Sequence, residues 1–282
     1  MYRKIRFLLI MSCLAVFVQA NAQFDDPKTL EVGPHVGMSY YMGDLNPTLP
    51  FAQAQLQYGG LVRFNYDNRW TFRFDYSRAT VTASDEVIKW RPERGLNFTS
   101  KINDFSLVAE FNFIEYYTGN PKKNVSPYIF GGISVFQYTA FANVNGMLVD
   151  LSDHKTEYVD PNAKWYEKMF GKTSPIGVSI PFGMGVKFSL SRHMAGTVEW
   201  RMQKTFTDYL DDVATVYPEQ NQHAVYTADD GTTYDLTDPT GNYIAGQQRG
   251  NSAFNDWFGM ARVSLTWKFN LPDRRGCNLS KF

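Results

Sequence analysis

The sequence predicts an all-β protein, an eight-stranded antiparallel up-and-down transmembrane β-barrel with short periplasmic turns and long extracellular loops. Three observations lead there. Eight segments alternate apolar and polar residues with the period of a strand. Most run about 9–13 residues, close to the 9–11 tilted residues that cross a bilayer and longer than the 5–6 of a globular strand. The connections between them alternate strictly between short and long, the asymmetry of a barrel whose turns face one compartment and whose loops face the other.

The first element lies outside the barrel. Arg3, Lys4 and Arg6 form a basic start, Phe7 to Val18 an apolar run broken only by Ser12, and Ala20-Asn21-Ala22 a small-x-small site. This is the pattern of a secretory signal peptide, residues 1–22, cleaved after Ala22. A lipoprotein signal ending at Cys13 fits less well, because Ile10-Met11-Ser12 precedes the cysteine and an apolar stretch follows it. Removing residues 1–22 takes three basic and no acidic residues from 28 of each, so the mature chain, 23–282, has net charge −3. That balance gives no basic stripe for nucleic acid. Only Cys277 then remains, which excludes an internal disulfide and a cysteine zinc site.

The strands follow at about 29–42, 57–66, 70–80, 104–116, 126–140, 175–190, 193–206 and 256–269. In the first, Leu30, Val32, Val36, Met38 and Tyr40 share one face, and His35 and Ser39 the other. The second sets Tyr58, Val62 and Phe64 against Arg63, and the third sets Trp70, Phe72, Phe74 and Tyr76 against Arg73 and Asp75. The fourth alternates Phe105, Leu107, Phe111 and Phe113 with Glu110. The fifth carries a weaker stripe of Tyr128, Phe130, Gly132, Ser134, Phe136 and Tyr138. The sixth opposes Val178, Ile180, Phe182, Met184 and Val186 to Ser179 and Lys187. The seventh opposes Val198, Trp200 and Met202 to Glu199 and Arg201, with Lys204 as an exception on the apolar face. The last opposes Trp257, Val263, Leu265, Trp267 and Phe269 to Arg262 and Lys268.

Which face meets lipid follows from the charges. An eight-stranded lumen is just wide enough for side chains. Arg63, Arg73, Asp75, Glu110, Glu199, Arg201, Arg262 and Lys268 are therefore expected to form an enclosed polar network, with the apolar face on hydrocarbon. A soluble sandwich or lipocalin-like barrel would show the same alternation with the faces exchanged. Strand length, the link pattern and aromatics at strand ends favour the membrane.

Catalytic and metal chemistry has little to stand on. His35, His154, His193 and His223 show no metal-ligand spacing. Asp208, Asp211, Asp212, Asp229 and Asp230 are oxygen ligands of the kind Ca²⁺ takes, but they lack the spacing of a calcium loop, and a solvated loop is the preferred reading. A lipid-modifying enzyme needs a nucleophile beside a base. Ser39 and His35, four apart on one strand face, sit about 13 Å apart at 3.3 Å per residue. No catalytic, cofactor or metal residues are assigned.

Several segments together carry a family resemblance. They are Ser39-Tyr40-Tyr41-Met42-Gly43-Asp44-Leu45-Asn46-Pro47, Pro127-Tyr128-Ile129-Phe130-Gly131-Gly132, Ile180 to Lys187, Thr205-Phe206-Thr207-Asp208-Tyr209-Leu210-Asp211-Asp212-Val213, and Arg249-Gly250-Asn251-Ser252. The set resembles the PorG-like outer-membrane β-barrel family of the type IX (Por) secretion system. Its more specific positions are Tyr40, Tyr41, Gly43, Asp44, Thr207, Asp208, Tyr209, Asp211 and Asp212. The resemblance implies outer-membrane lipid as surroundings and an accessory, anchoring role beside a periplasmic PorK–PorN ring, with no cofactor. The turn Pro121-Lys122-Lys123 and the tail Asp273-Arg274-Arg275-Gly276-Cys277 would face that side. A second reading is a general small barrel for envelope integrity or surface ligand binding.

Overall fold

The computed structural model describes residues 28–152, 154, 156 and 175–271. The signal segment, its cleavage site and the tail bearing Cys277 lie outside the described residues. Eleven strands follow in chain order: β1 (Thr29–Met42), β2 (Gln55–Asn65), β3 (Trp70–Ser84), β4 (Asn97–Asn112), β5 (Val125–Val144), β6 (Met147–Asp150), β7 (Ile176–Ser189), β8 (Met194–Thr205), β9 (Val225–Thr227), β10 (Thr233–Asp235) and β11 (Trp257–Asn270). One helical turn, α1 (Asp85–Ile88), follows β3.

Eight of these strands close a ring. The order β4-β3-β2-β1-β11-β8-β7-β5 is completed by β4–β5 pairing, and every neighbour is antiparallel. The first and last strands meet from Thr29↔Asn270 to Met42↔Trp257, so the ends of the fold lie together. Closure leaves no backbone edge for lipid to meet. The short turns are built from local polar side chains. Asp67 accepts the Arg69 and Trp70 amides at 2.6 and 2.7 Å, and Ser191 accepts those of His193 and Met194.

The orientation of the sheet decides what kind of barrel this is. Val263, Trp200 and Phe182 are 50%, 40% and 37% exposed, whereas the Arg201 and Glu199 side chains are 0% and 1% exposed. Apolar side chains face outward and ionic ones inward, the opposite of a soluble barrel.

Three strands extend beyond the stripes read from the sequence, and the polarity reverses where they do. On β3 the outward residues run Phe72, Phe74, Tyr76 and then Arg78, Thr80, Thr82, while the buried ones run Arg73, Asp75, Ser77 and then Ala79, Val81, Ala83. β4 does the same toward its start: outward Leu107 and Phe105 give way to Asn103, Lys101 and Thr99, and buried Asp104 to Ile102 and Phe98. On β5, outward Ile133 and Val135 give way to Gln137 and Thr139. This upper wall has a water-facing exterior and an apolar interior. The alternation persists but changes sense, which is why β3 and β4 reach Ser84 and Asn97 rather than stopping at 80 and 104.

Two expectations are corrected. β4 ends at Asn112, not 116. The Phe113 amide still bonds Pro127 O at 3.0 Å, but Tyr116 turns beneath the barrel and is buried. The β5 stripe is also reversed: Tyr128, Phe130, Ser134, Phe136 and Tyr138 face the lumen, and Ile129, Ile133 and Val135 face out. The lumen has room for these rings because glycine stands opposite. Tyr128 pairs with Gly185, Phe130 with Gly183 and Phe136 with Gly177.

Candidate functional site

The lumen holds one connected ionic network. At the end that carries the short turns Arg63 Nη1 lies 3.1 Å from Glu31 and Arg63 Nε 3.2 Å from Glu110. Glu110 also meets Lys187 Nζ and Arg73 Nη1, each at 2.6 Å. Arg73 continues to Glu199 at 2.6 Å and Asp75 at 3.3 Å. Arg262 Nη2 joins both, at 2.6 Å to Asp75 and 2.7 Å to Glu199. Arg201 lies 3.7 Å from Asp75 and 3.2 Å from Asp104. His35 Nε2 sits 3.3 Å from Asp75, and the Tyr128 hydroxyl donates to Glu199 at 2.7 Å. Five carboxylates (Glu31, Asp75, Asp104, Glu110, Glu199) thus balance five cations (Arg63, Arg73, Lys187, Arg201, Arg262) in a space closed to water.

Both mouths are stoppered. Below, the 113–124 turn folds inward: the Thr118 hydroxyl donates to Glu31 at 2.6 Å, the Thr118 carbonyl accepts from Lys268 Nζ, and the Lys268 ammonium stands 4.5 Å over the Tyr117 ring. Above, Tyr41, Leu45, Val81, Phe98, Ile102, Phe136, Leu210, Val213, Phe258 and Met260 pack as one apolar plug. A lumen filled this way passes no solute.

The plug is roofed by segments distant in sequence. The Tyr41 hydroxyl lies 2.5 Å from Asp211 Oδ2 and 2.5 Å from Asp256 Oδ1. A phenol has one proton to donate, so the two carboxyls share a single donor, an arrangement that favours protonation of one of them. Burial pushes Asp211 well above the usual carboxylate range, and the charges of Asp256 and Asp44 add to it. Asp256 is raised by burial and then by Asp208. Backbone amides hold both acids in place: Leu210 N donates to Asp256 and Val213 N to Asp211. Gly43 is required here, since a Cβ would come within 2.0 Å of the Tyr41 hydroxyl and 2.3 Å of Asp256.

Around this centre the loops are tied by arginines. Arg94 donates to Asp85 at 2.6 Å, to Arg249 O at 2.9 Å and to Asp44 O at 3.1 Å. Arg249 donates to the carbonyls of Asp212 and Thr237. The Asp44 carboxylate accepts Asn251 N at 2.6 Å. In the loop between β8 and β11 the Tyr217 and Tyr243 rings stack at 4.5 Å.

The sequence-derived positions therefore fall into two groups. Arg63, Arg73, Asp75, Glu110, Glu199, Arg201 and Arg262 lie in the one luminal network, and Lys268 lies at its lower mouth. Tyr41, Gly43, Asp44, Asp208, Asp211 and Asp212 gather in the outer cap, with Thr207 bonding the Tyr209 amide at 3.3 Å. Tyr40 instead lies on the lipid-side face of β1, buried there against the Phe51 ring and accepting Trp200 Nε1 at 2.8 Å. Asp211 and Asp212 are buried, so the solvated loop expected there is corrected: Leu210 and Val213 enter the plug and carry the acids in with them. The sequence reading does not name Glu31, Asp104, Arg94 or Asp256, and it places Lys187 on a polar strand face without assigning it to the network. Glu31, Asp104 and Lys187 sit on polar faces of alternating strands, whereas Arg94 and Asp256 lie in loops without periodicity.

The geometry offers no nucleophile–base pair from the sequence candidates. Ser39 Oγ donates to Thr80 O at 2.6 Å, and His35 Nε2 lies at Tyr76 O and Asp75. Among the described residues no group of three or more His, Cys, Asp or Glu is arranged to hold a metal ion.

The chain is similar to one protein family and to several solved structures. The family model described as "Domain of unknown function (DUF6089)" matches residues 5–230. No curated protein matches the chain. Among solved structures, the outer membrane protein OprG from Pseudomonas aeruginosa is similar at 8% identity and TM-score 0.41, over 87% of this chain and 97% of that one. The N-terminal β-barrel domain of Pseudomonas aeruginosa OprF is similar at 11% identity and TM-score 0.37, over 86% and 97%. Neisserial surface protein A is similar at 10% identity and TM-score 0.37, over 86% and 97%.

Proposed function

Because the chain belongs to the DUF6089 family, a domain of unknown function, its role has to be read from its own geometry, and we propose that it is a non-enzymatic outer-membrane barrel serving as an accessory, anchoring component of the type IX protein secretion system. One observation carries the coarser part of this reading: a closed barrel with an apolar exterior and a neutral ionic lumen stoppered at both ends. Such a barrel resides in lipid and conducts nothing, so its work is done by surfaces outside the belt. A closed antiparallel barrel of an exported chain belongs in the outer membrane.

The secretion role rests on the resemblance of the motif segments to PorG-like barrels. It gains weight from the meeting of two of those segments, 40–44 and 207–212, around Tyr41 and Asp211 in one buried cap. The partners would be ring proteins of the PorK and PorN kind on the periplasmic side, where Lys122 is exposed and Lys123 Nζ pairs with Glu115 at 3.3 Å.

Deleting the gene should stop secretion of proteins bearing type IX signals. Affinity capture of the full chain from detergent-solubilised membranes should bring down the ring proteins. Normal secretion in the deletion strain would remove the secretion role and leave the general envelope or surface-ligand barrel.

A further inference from the structure

A cleft of about 670 Å³ opens at the outer rim beside β1, β8 and β11. Its floor is the outward face of the barrel, at Met42, Met202 and Trp257. That face continues toward the periplasmic end as Met38, Trp200 and Val263, all substantially exposed. Its overhang comes from two loops of the cap, through Trp90, Arg91 and Phe254. Trp90 is 55% exposed and Phe254 72%, so two large aromatic side chains stand over an apolar floor. The volume falls in the range of about 300–1,000 Å³ that suits a small amphipathic ligand.

Two cations stand beside the cleft, with the carboxylates of Glu93 and Asp44 close by. The Arg91 side chain is 34% exposed, with its Nε 3.5 Å from Glu93. Lys204 is exposed on the outward face of β8, its Nζ 5.7 Å from the Trp257 ring. Two other charged residues line the space but are committed elsewhere: the Asp44 carboxylate accepts the Asn251 amide at 2.6 Å, and Arg94 is tied to Asp85.

We propose that this cleft holds an acyl chain of an anionic outer-leaflet lipid, with Arg91 and Lys204 meeting the phosphate of its headgroup. The continuity of the floor with the apolar belt is the reason for choosing a lipid over a protein partner or a soluble ligand, since an occupant reaches the space from the membrane without crossing water. A hydrated ammonium and a guanidinium beside an apolar slot complement an anionic amphiphile. The proposal rests on the membrane reading and not on any secretion role.

The test uses the full chain, delipidated in detergent and titrated with phosphatidylglycerol or phosphatidylcholine of the same acyl chains under native mass spectrometry. One phosphatidylglycerol should be retained about tenfold more tightly than phosphatidylcholine. Phe254→Asp and Trp90→Asp should each weaken retention about tenfold, and Arg91→Glu should bring phosphatidylglycerol down to the phosphatidylcholine level. Heat-modifiable migration on gels checks that each variant is a folded barrel. Equal retention of the two lipids by the unmodified chain, or undiminished retention by folded Phe254→Asp, overturns the proposal. Should the variants not fold, chains that keep Trp90 or Trp267 as the single tryptophan of the six, the others replaced by phenylalanine, still decide it through quenching in vesicles containing bromine-labelled phosphatidylglycerol or phosphatidylcholine. Trp267, in the belt, should be quenched by both labels if the barrel is inserted, and Trp90 preferentially by the anionic one. Quenching of Trp267 without preference at Trp90 removes the cleft and leaves the membrane reading intact, whereas no quenching of either removes both.

Discussion

Arg73 of β3 clasps Glu199 of β8 across the full width of the lumen, with two hydrogen bonds of 2.6 and 3.2 Å. The two strands are four apart around the ring in either direction, so this pair is a strut between opposite walls. It is the most direct sign that the barrel has a core in place of a channel. Desolvating such charges is costly, and the cost is offset only while every member keeps its partners.

Arg73→Met should therefore lower the unfolding free energy by about 3–5 kcal/mol, because it leaves Glu199 and Glu110 buried without their shared cation. Adding Glu199→Gln, which restores the charge balance of the lumen, should recover most of that loss. Urea unfolding in lipid vesicles, followed by tryptophan fluorescence, measures both. A single variant as stable as the parent would show that the strut contributes nothing.

The reversal of polarity along β3, β4 and β5 marks where hydrocarbon ends. Ile133 and Thr139 lie on the same outward face of β5, Ile133 65% exposed beside the apolar belt and Thr139 among polar neighbours above it. Ile133→Arg should cost about 2–4 kcal/mol, as a cation facing the bilayer midplane does, whereas Thr139→Arg should cost about 0–1. Equal costs at the two sites would mean that the upper wall is also immersed.

That reversal also explains what could and could not be read from the residues. Period two identifies which side chains share a face, and a lipid-facing position asks only for an apolar residue, so Phe72 and Phe74 or Leu265 and Trp267 carry their orientation locally. The pairing of Arg73 with Glu199 depends on strand order around a closed ring, which no single strand encodes. β5 misleads because its aromatics point inward, and the compensating glycines lie on another strand, β7. The cap is the least legible part. Tyr41, at the end of β1, meets Asp211 and Asp256 from loops without periodicity, Arg94 ties the neighbouring loops through Asp44 and Arg249, and only the local motifs around Tyr41 and Asp211 draw attention to two of the four.

The glycine–aromatic pairing is open to a direct test. A Cβ at Gly177 would approach the Phe136 ring to 2.3 Å, and its nearest neighbours are all atoms of that one side chain. Gly177→Ala should cost about 1–3 kcal/mol by overpacking. In a Phe136→Leu background the same alanine should cost clearly less, because the obstructing ring is gone. Unfolding midpoints of the four proteins form a double-mutant cycle. Additive effects would show that the ring does not set the requirement for glycine.

The last prediction concerns the cap and its dependence on pH. Asp211 and Asp256 share the Tyr41 hydroxyl and are both raised above the ordinary aspartate value, first by burial and then by neighbouring carboxylates, Asp256 and Asp44 for Asp211, and Asp208 and Asp44 for Asp256. A carboxyl whose folded value is raised favours the folded cap while it is protonated. Its contribution is complete below the unfolded value of about 3.9 and is lost as pH rises through the folded value. The two acids titrate as a pair, so the loss comes in two steps. Proteolysis within the 206–256 loop should accordingly speed up as pH rises, while the barrel below, whose charges are already paired, resists throughout. Asp256→Asn keeps the hydrogen-bonding shape and removes the charge, so it should flatten the dependence and slow cleavage at high pH. Cleavage rates that stay constant with pH in the parent chain, or that fall as pH rises, would mean that the shared proton does not hold the cap closed.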